Sequence, residues 1–346
     1  MDAVAESRTT GRLVVRWALG LVVGALVLVV LFSHRGDLAG ASHRLTHLRA
    51  ADVLAALGAE ALSLACYAAL QGVVLASGGA RLRLGELYAI TLANDAIALS
   101  VPGEPAVSSV YRYRQYRARG ASASASAWTI VTVIVAQAIG LSLILVAAIL
   151  VALLGGSSHV GPGVTGTALV VVVGAGVVLA RRDLVVGLFE GVVRFARRLT
   201  GRPRGRLGER VDATLVSMRA ITLARRAAAA SIGLSLGLWL ADAGCLLAAL
   251  VAVGAPVPWA GFLLAYGVSQ VVAVLPIVPG GLGVVEGSLT VVLVAYGAAR
   301  VPALSAVLLY RLASYWLPIA LGWTTAGGLA LARRRGAAST GALEVD

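Results

Sequence analysis

The chain has 346 residues, of which 59% are hydrophobic and 13% are charged, and its mean hydropathy is +0.90. A soluble domain carries about 25% charged residues, so this chain lacks the polar side chains that a water-facing surface of its size needs. Its net charge of +13 comes from 29 basic residues, all of them arginine. These lie between apolar segments, where arginine sets topology and meets lipid headgroups, so we expect no nucleic-acid binding and no soluble enzyme.

Six apolar segments are long enough to cross the hydrocarbon core of a bilayer as helices. In chain order they are residues 14–32, 53–75, 123–154, 164–180, 227–253 and 303–332. The first is as long as a membrane span, and small residues follow only well beyond its end, so we interpret it as a retained span rather than a signal peptide. The sequence thus predicts an all-α polytopic membrane protein, with one integral membrane domain over residues 1–346.

Two further apolar segments are interrupted by proline and glycine. Residues 86–101 precede the sequence PGEP at 102–105, and residues 259–296 contain PIVPGGLG at 276–283. Proline removes a helical hydrogen bond, and glycine permits backbone that a helix cannot use, so each cluster is expected to interrupt its helix at membrane depth. We predict two re-entrant helical hairpins, and ordinary kinked spans are the alternative interpretation.

The distribution of arginine predicts how these segments are oriented. With a cytoplasmic N-terminus, and with both hairpins returning to the side they enter from, 24 of the 29 arginines are cytoplasmic and four are outside. This split obeys the positive-inside rule and places both termini in the cytoplasm of a protein of the cell inner (plasma) membrane. The two hairpins then enter from opposite sides, which is typical of an inverted repeat, here with halves at 13–154 and 164–332.

Residues 181–226 differ from the rest of the chain because they contain twelve arginines. Leu184, Leu188 and Val192 recur at helical spacing with arginines nearby, as in a helix that lies in the membrane interface. We expect a basic amphipathic connector on the cytoplasmic side that touches lipid. A specific site for anionic lipid is the alternative.

Charged residues in the membrane interior cost about 2.5 to 3.5 kcal/mol each on insertion scales, so they usually face the bundle interior or a water-filled cavity. The predicted interior contains Glu60, Asp95, Asp242, Glu286 and Arg311, with Glu104 at the first break. One polar stripe, whose members either line a transport cavity or hold helices together, consists of Glu60, Ser63, Tyr67 and Gln71. We expect Arg311 to pair with Glu286 or Asp242, as a fixed structural ion pair or as part of a substrate site.

The second break predicts a place where an anion approaches the backbone. Pro279 stops the incoming helix, the glycines of 280–283 permit a tight reversal, and the outgoing helix is expected to begin near Leu282. Unpaired N–H groups at such a helix start attract anions, including phosphate. Glu286, about one turn further on, is positioned to cap this helix start or to exchange protons with a cavity.

These motifs resemble a known family. The sequence PGGLG at 279–283 with Glu286, and residues 101–104 followed by Arg112, are similar to the lysylphosphatidylglycerol synthase transmembrane family, also described as flippase-like. The likeness covers about residues 13–335. It implies translocation of a lipid with a phosphorylated or modified headgroup between leaflets. Aminoacylation is not expected, because bifunctional members perform it in a separate cytosolic domain and only residues 333–346 follow the last predicted span.

The predicted substrate-binding residues are those of the two breaks and of the interior charges. They are Asp95, Pro102, Gly103, Glu104, Arg112, Asp242, Pro279, Gly280, Gly281, Gly283, Glu286 and Arg311. The expected ligand is an anionic or phosphate-bearing membrane lipid, and we expect no catalytic residue, metal ion or cofactor. Two alternatives stay open: a membrane-embedded lipid-modifying enzyme with Asp95, Glu104 or Glu286 as general base, and a non-catalytic scaffold for an envelope glycosyltransferase or another envelope lipid-modifying enzyme.

Overall fold

The computed structural model describes residues 48–100, 104–154, 221–273 and 281–342, and all regular structure in these ranges is helical. The helices are α1 (Ala50–Ser77), α2 (Leu84–Ser100), α3 (Glu104–Arg117), α4 (Ala123–Leu154), α5 (Arg225–Ala252), α6 (Trp259–Ala273), α7 (Val284–Ala295), α8 (Arg300–Arg311), a π-helical segment (Leu312–Trp316) and α9 (Leu317–Ala342). The prediction of an all-α membrane protein is confirmed.

Within the described residues, four helices are long and apolar enough to cross a membrane. They are α1, α4, α5 and the continuous helix Arg300–Leu329, which joins α8, the π segment and the first part of α9. These four match the spans predicted at 53–75, 123–154, 227–253 and 303–332. The spans predicted at 14–32 and 164–180, and nearly all of the connector at 181–226, lie outside the described residues.

Each of the two interrupted segments contains a pair of shorter helices. α2 ends at Ser100 and α3 begins at Glu104, while α6 ends at Ala273 and α7 begins at Val284. With 15 and 12 residues, α6 and α7 are each shorter than the roughly 20 residues that a full span needs. Within each pair the two helices pack against each other. Pro102 and Gly103 of the first break, and Pro279 and Gly280 of the second, lie outside the described residues.

The helices of the two halves make corresponding contacts. α1 packs against α5 along much of its length. α2 lies against α9, and α6 lies against α4, so the first helix of each interrupted segment contacts the last long helix of the other half. α3 contacts α4 as α7 contacts α8. Among the described helices, α1 to α4 thus have counterparts with similar neighbours in α5 to α8.

Four of the connections between helices repeat the same turn. After α1, the N–H of Ala80 donates to Leu75 O and that of Gly79 donates to Ala76 O, and Gly79 has φ +83°. This is the Schellman arrangement that ends a helix at a left-handed glycine. The same pair of bonds and the same positive φ recur around Gly120, Gly254 and Gly297. The turns that join α1 to α2 and α3 to α4 thus recur between α5 and α6 and between α7 and α8.

Small residues allow the reciprocal contacts between halves to be close. A Cβ atom at Gly322 of α9 would lie 2.1 Å from the carbonyl oxygen of Leu92 and 2.6 Å from Ala96 Cβ, both on α2. A Cβ atom at Gly267 of α6 would lie 2.5 Å from Leu145 Cδ2 on α4. Because lipid tails are as apolar as the helices, this close van der Waals packing is a main source of association within the bilayer.

Candidate functional site

Three of the predicted interior charges lie at a similar depth. Glu60 is ten residues after the start of α1, Asp242 is ten residues before the end of α5, and Arg311 is eleven residues after the start of α8. These three helix ends all lie outside in the topology predicted from arginine. At 1.5 Å per residue each charge lies about 15 Å from its helix end, which is half of a hydrocarbon core about 30 Å thick.

Asp242 joins three helices through hydrogen bonds. Its Oδ2 atom accepts from the Tyr266 hydroxyl at 2.7 Å, from Gln270 Nε2 at 2.8 Å and from the Tyr310 hydroxyl at 3.1 Å. Tyr266 and Gln270 lie on α6, and Tyr310 lies on α8. The sequence prediction included Asp242 but omitted these tyrosines. Tyr266 and Gln270 are four residues apart on one helical face, and a buried tyrosine usually needs a partner for its hydroxyl, so this spacing was the available signal.

Arg311 pairs with Glu286, one of the two partners expected for it. Arg311 Nε lies 2.7 Å from Glu286 Oε1, and both side chains are largely buried. The guanidinium also lies 4.1 Å from the centre of the Tyr315 ring in the π segment. The Tyr315 hydroxyl donates to the carbonyl oxygen of Leu99, near the end of α2. The ion pair is thus connected to both interrupted segments.

Glu286 also caps the start of α7. Its Oε2 atom accepts from the backbone N–H of Gly283 at 2.6 Å, and Gly283 is the N-cap residue. The helix therefore begins at Val284, two residues later than predicted. Gly281 and Gly283 have φ values of +64° and +81°, which disfavour any residue with a side chain. The predicted glycine turn is present in the described part of this break. The anion that contacts its backbone in this structure is the Glu286 carboxylate.

A second polar network lies between α1, α2 and α3. Arg112 is buried, and its guanidinium donates to the Tyr67 hydroxyl at 2.5 Å. Tyr116 donates to Gln71 Oε1, and Gln71 Nε2 donates to Thr91 Oγ1 at 2.8 Å. Tyr67 and Gln71 belong to the predicted polar stripe of α1, and here they hold α3 and α2 against it. Arg112 is thus placed among α1 and α3 side chains, whereas Arg311 contacts α7 and the π segment.

Asp95 lies on α2, half-buried, and its Oδ1 accepts from Asn94 Nδ2 at 3.3 Å. It is close enough to Glu60 to interact with it electrostatically. Asp95, Asp242, Glu286 and Arg311 thus lie on α2, α5, α7 and α8, and Gly281 and Gly283 directly precede α7. Glu104 begins α3 but its side chain is outside the described set, as are Pro102, Gly103, Pro279 and Gly280.

An apolar groove of about 470 Å³ lies between α1 and the helix that carries Arg311. Its walls come from the first turns of α1, from the end of α8, from the π segment and from the start of α9. They consist of Val53, Ala56, Leu57, Leu309, Leu312, Ala313, Trp316, Leu317 and Ala320. The groove carries no charged side chain in its lining, so it suits a hydrocarbon chain rather than a polar solute.

Comparison with known proteins agrees with the motifs. A family model of the lysylphosphatidylglycerol synthase TM region matches residues 17–322. A UPF0104 membrane protein of Methanothermobacter thermautotrophicus is 34% identical over 89 residues, which are 26% of this chain and 25% of that protein. The matched segment thus covers about a quarter of the relative's length. The family match confirms the resemblance inferred from the PGGLG and PGEP motifs.

Proposed function

Because this chain belongs to the lysylphosphatidylglycerol synthase transmembrane family, we propose that it is a flippase-like transporter. Its substrate is a lipid with a phosphorylated or modified headgroup, which it moves between the two leaflets. The protein lies in the plasma membrane with both termini in the cytoplasm, as the arginine distribution predicts. The observation that carries the proposal is the Arg311–Glu286 ion pair at the start of α7, at mid-membrane depth.

The Glu286 carboxylate occupies the kind of site that suits a headgroup anion. It accepts one guanidinium N–H and one backbone N–H at a helix start where glycines leave the backbone accessible. A lipid phosphate offers the same oxygen acceptors and a negative charge, and is suited to replace the carboxylate there. When the lipid leaves, Glu286 pairs with Arg311 again. The exchange keeps the Arg311 guanidinium paired at each stage, and an unpaired partner of a buried ion pair costs about 3 to 5 kcal/mol.

The apolar groove supports the assignment of a lipid rather than a soluble anion. Leu312 and Ala313 line the groove and directly follow Arg311 in the chain. These lining residues lie on the face of the helix opposite the Arg311 side chain, so an acyl chain held in the groove stays out of the polar centre. The headgroup then needs only a short polar passage across the membrane.

The reciprocal packing of the halves supports alternating access as the mechanism. The first helix of each interrupted segment rests on the last long helix of the other half. We assign the interrupted segments as two re-entrant hairpins that enter from opposite sides, in halves related by an inverted repeat. Rocking of one half against the other then exposes the Arg311 site first to one leaflet and then to the other.

Lipid movement in reconstituted vesicles tests the proposal. Purified protein is placed in vesicles that contain traces of tail-labelled anionic, zwitterionic, glycolipid or polyprenyl-phosphate lipids. An impermeant reductant then destroys only the label in the outer leaflet, which gives the fraction of labelled lipid there. We expect movement of at least one phosphate-bearing lipid above protein-free vesicles. Arg311→Ala should abolish it, and so should the double variant Arg311→Ala with Glu286→Ala, which leaves no unpaired charge behind. The matched control is Arg226→Ala, an exposed arginine of α5.

The proposal fails if none of the four lipid classes moves faster than in protein-free vesicles, or if the double variant transports as fast as the wild type. Mass spectrometry of the same vesicles separates transport from lipid modification. A transporter changes only where the lipid lies, whereas a lipid-modifying enzyme produces a new lipid species.

A further inference from the structure

Two carboxyl groups meet at the contact between the halves. Glu60 on α1 and Asp242 on α5 have relative exposures of 7% and 8%. Their side chains approach closely enough to share a hydrogen bond. Each lies about half a bilayer thickness from its helix end, so neither can reach bulk water by extending its side chain. This pair is separate from the Arg311–Glu286 ion pair described above.

Each carboxyl group has one oxygen atom that receives no donor. Among the described residues, no N–H or O–H group donates to Glu60 Oε2 or to Asp242 Oδ1. The other oxygen of Asp242 accepts three hydrogen bonds, so Asp242 is oriented by its neighbours. Buried polar atoms without a hydrogen-bond partner are rare in native proteins, so these two oxygen atoms call for an explanation. Two ionised carboxylates cannot bond to each other, but one shared proton lets them do so.

We infer that Glu60 and Asp242 form a proton-binding site, and that protons bind and leave there during each cycle of lipid movement. The coupling rests on the proposed transport function, whereas the proton site itself does not. A divalent cation would take six or more oxygen ligands, and the described residues gather no group of three or more His, Cys, Asp and Glu side chains able to hold a metal.

The charged and titratable groups around the pair come from every element that packs against it. They are Asp95 and Tyr88 from α2, Cys245 from α5, Tyr266 from α6, Tyr310 and Arg311 from α8, and Tyr315 from the π segment beside Arg311. α4 contributes no ionisable side chain. Asp95 adds negative charge near Glu60, and Arg311 adds positive charge near Asp242. A headgroup that displaces Glu286 from Arg311 changes the electrostatic environment of the Glu60–Asp242 pair.

The position of the pair explains how a proton can act on the whole molecule. α1 and α5 belong to different halves and pack along much of their length. With the proton present, Glu60 and Asp242 hold the halves together by a hydrogen bond. Without it, two buried negative charges face each other and repel, which favours separation of the halves. Binding and release of one proton can therefore bias which conformation is populated.

Infrared spectroscopy tests the proton site without any transport measurement. The purified protein in lipid is titrated with pH while the carbonyl stretch of protonated carboxylic acids is recorded. We expect a band in the wild type that disappears as the pH rises, and we expect it to be lost in both Glu60→Gln and Asp242→Asn. The matched control Glu86→Gln, an exposed carboxylate of α2, should keep the band. Thermal unfolding of each variant verifies that it is folded.

Vesicles with an imposed pH gradient test the coupling. If one proton moves with each lipid, the amounts of lipid in the two leaflets differ about tenfold per pH unit at equilibrium. Glu60→Gln should lose this difference. The inference is overturned if the band is absent or persists in both variants, or if a sodium gradient replaces the pH gradient. A band that behaves as expected in a protein that moves no lipid would refute the transport proposal but leave the proton site standing. Lipid movement in a protein that lacks the band would refute the proton site but leave the transport proposal standing.

Discussion

At the scale of single residues, two glycines of the second break adopt a backbone conformation that disfavours a side chain. Gly283 has φ +81° and precedes the first turn of α7. Gly283→Ala should lower stability by about 1 to 3 kcal/mol, because a side chain is disfavoured in that conformation. Gly287→Ala is the matched control, since it lies inside α7 with nothing within 4 Å of an added Cβ. Alanine there should be neutral or stabilising by up to about 1 kcal/mol.

Thermal unfolding in the same detergent compares these two variants. A loss of stability confined to Gly283→Ala would agree with the proposed turn. Equal losses for both variants would contradict it, because helix propensity favours alanine over glycine at position 287, inside α7.

Some residue contacts could be predicted from the sequence and others could not. The Arg311–Glu286 pair was expected because a lone arginine in apolar surroundings must find one of very few acids. Tyr266 and Tyr310 were missed because tyrosine in an apolar helix is commonly a packing residue. Their contact with Asp242 depends on how α5, α6 and α8 are arranged, which no local pattern specifies. Arg112 was expected in the substrate site, and its contact with Tyr67 shows that it also joins α3 to α1.

At the scale of helices, the close crossing of α2 and α9 tests the reciprocal packing. Gly322→Ala would place a Cβ atom 2.1 Å from the carbonyl oxygen of Leu92, a backbone atom that cannot rotate away. We expect a loss of about 1 to 3 kcal/mol, as for other overpacked contacts. Gly327→Ala is the control on the same helix, because an added Cβ there meets nothing within 4 Å.

The midpoint temperature of thermal unfolding and the rate of lipid movement should both fall for Gly322→Ala and stay near wild type for Gly327→Ala. Equal behaviour of the two variants would show that α2 and α9 are not in close contact in the membrane.

The boundaries of α1, α4 and α5 were predicted within about three residues, because Gly, Pro and Arg mark the ends of apolar segments clearly, whereas α9 continues ten residues past the predicted end at 332. α1 was predicted at 53–75 and extends over Ala50–Ser77, and α4 was predicted at its observed bounds. The π segment Leu312–Trp316 was not foreseen, since it contains neither proline nor glycine. Such a segment depends on tertiary contacts, and here it holds Tyr315 between Arg311 and α2.

At the scale of the whole molecule, the proposed inverted repeat predicts opposite accessibility for two equivalent turns. Gly79 and Gly254 occupy the same Schellman turn after α1 and α5, and both are exposed. In a background with Cys66 and Cys245 replaced by alanine, Gly79→Cys should react with an impermeant thiol reagent only from the cytoplasmic side. Gly254→Cys should react only from outside. Labelling of both from one side would contradict the inverted repeat.

The proposed movement of the two halves against each other can be tested with a single reversible cross-link. A Cβ atom at Gly237 of α5 would lie 4.0 Å from Cys66 Cβ on α1, within the range of about 3.5 to 4.5 Å that a disulfide needs. Gly237→Cys should therefore form a disulfide with Cys66 that ties the halves together. Lipid movement by this variant in vesicles is then measured before and after reduction.

The account predicts no lipid movement in the oxidised protein and recovery after reduction, with the wild type unaffected by either treatment. Oxidised protein that moves lipid as fast as reduced protein, with the disulfide verified by mass spectrometry, would contradict transport by rocking of the two halves.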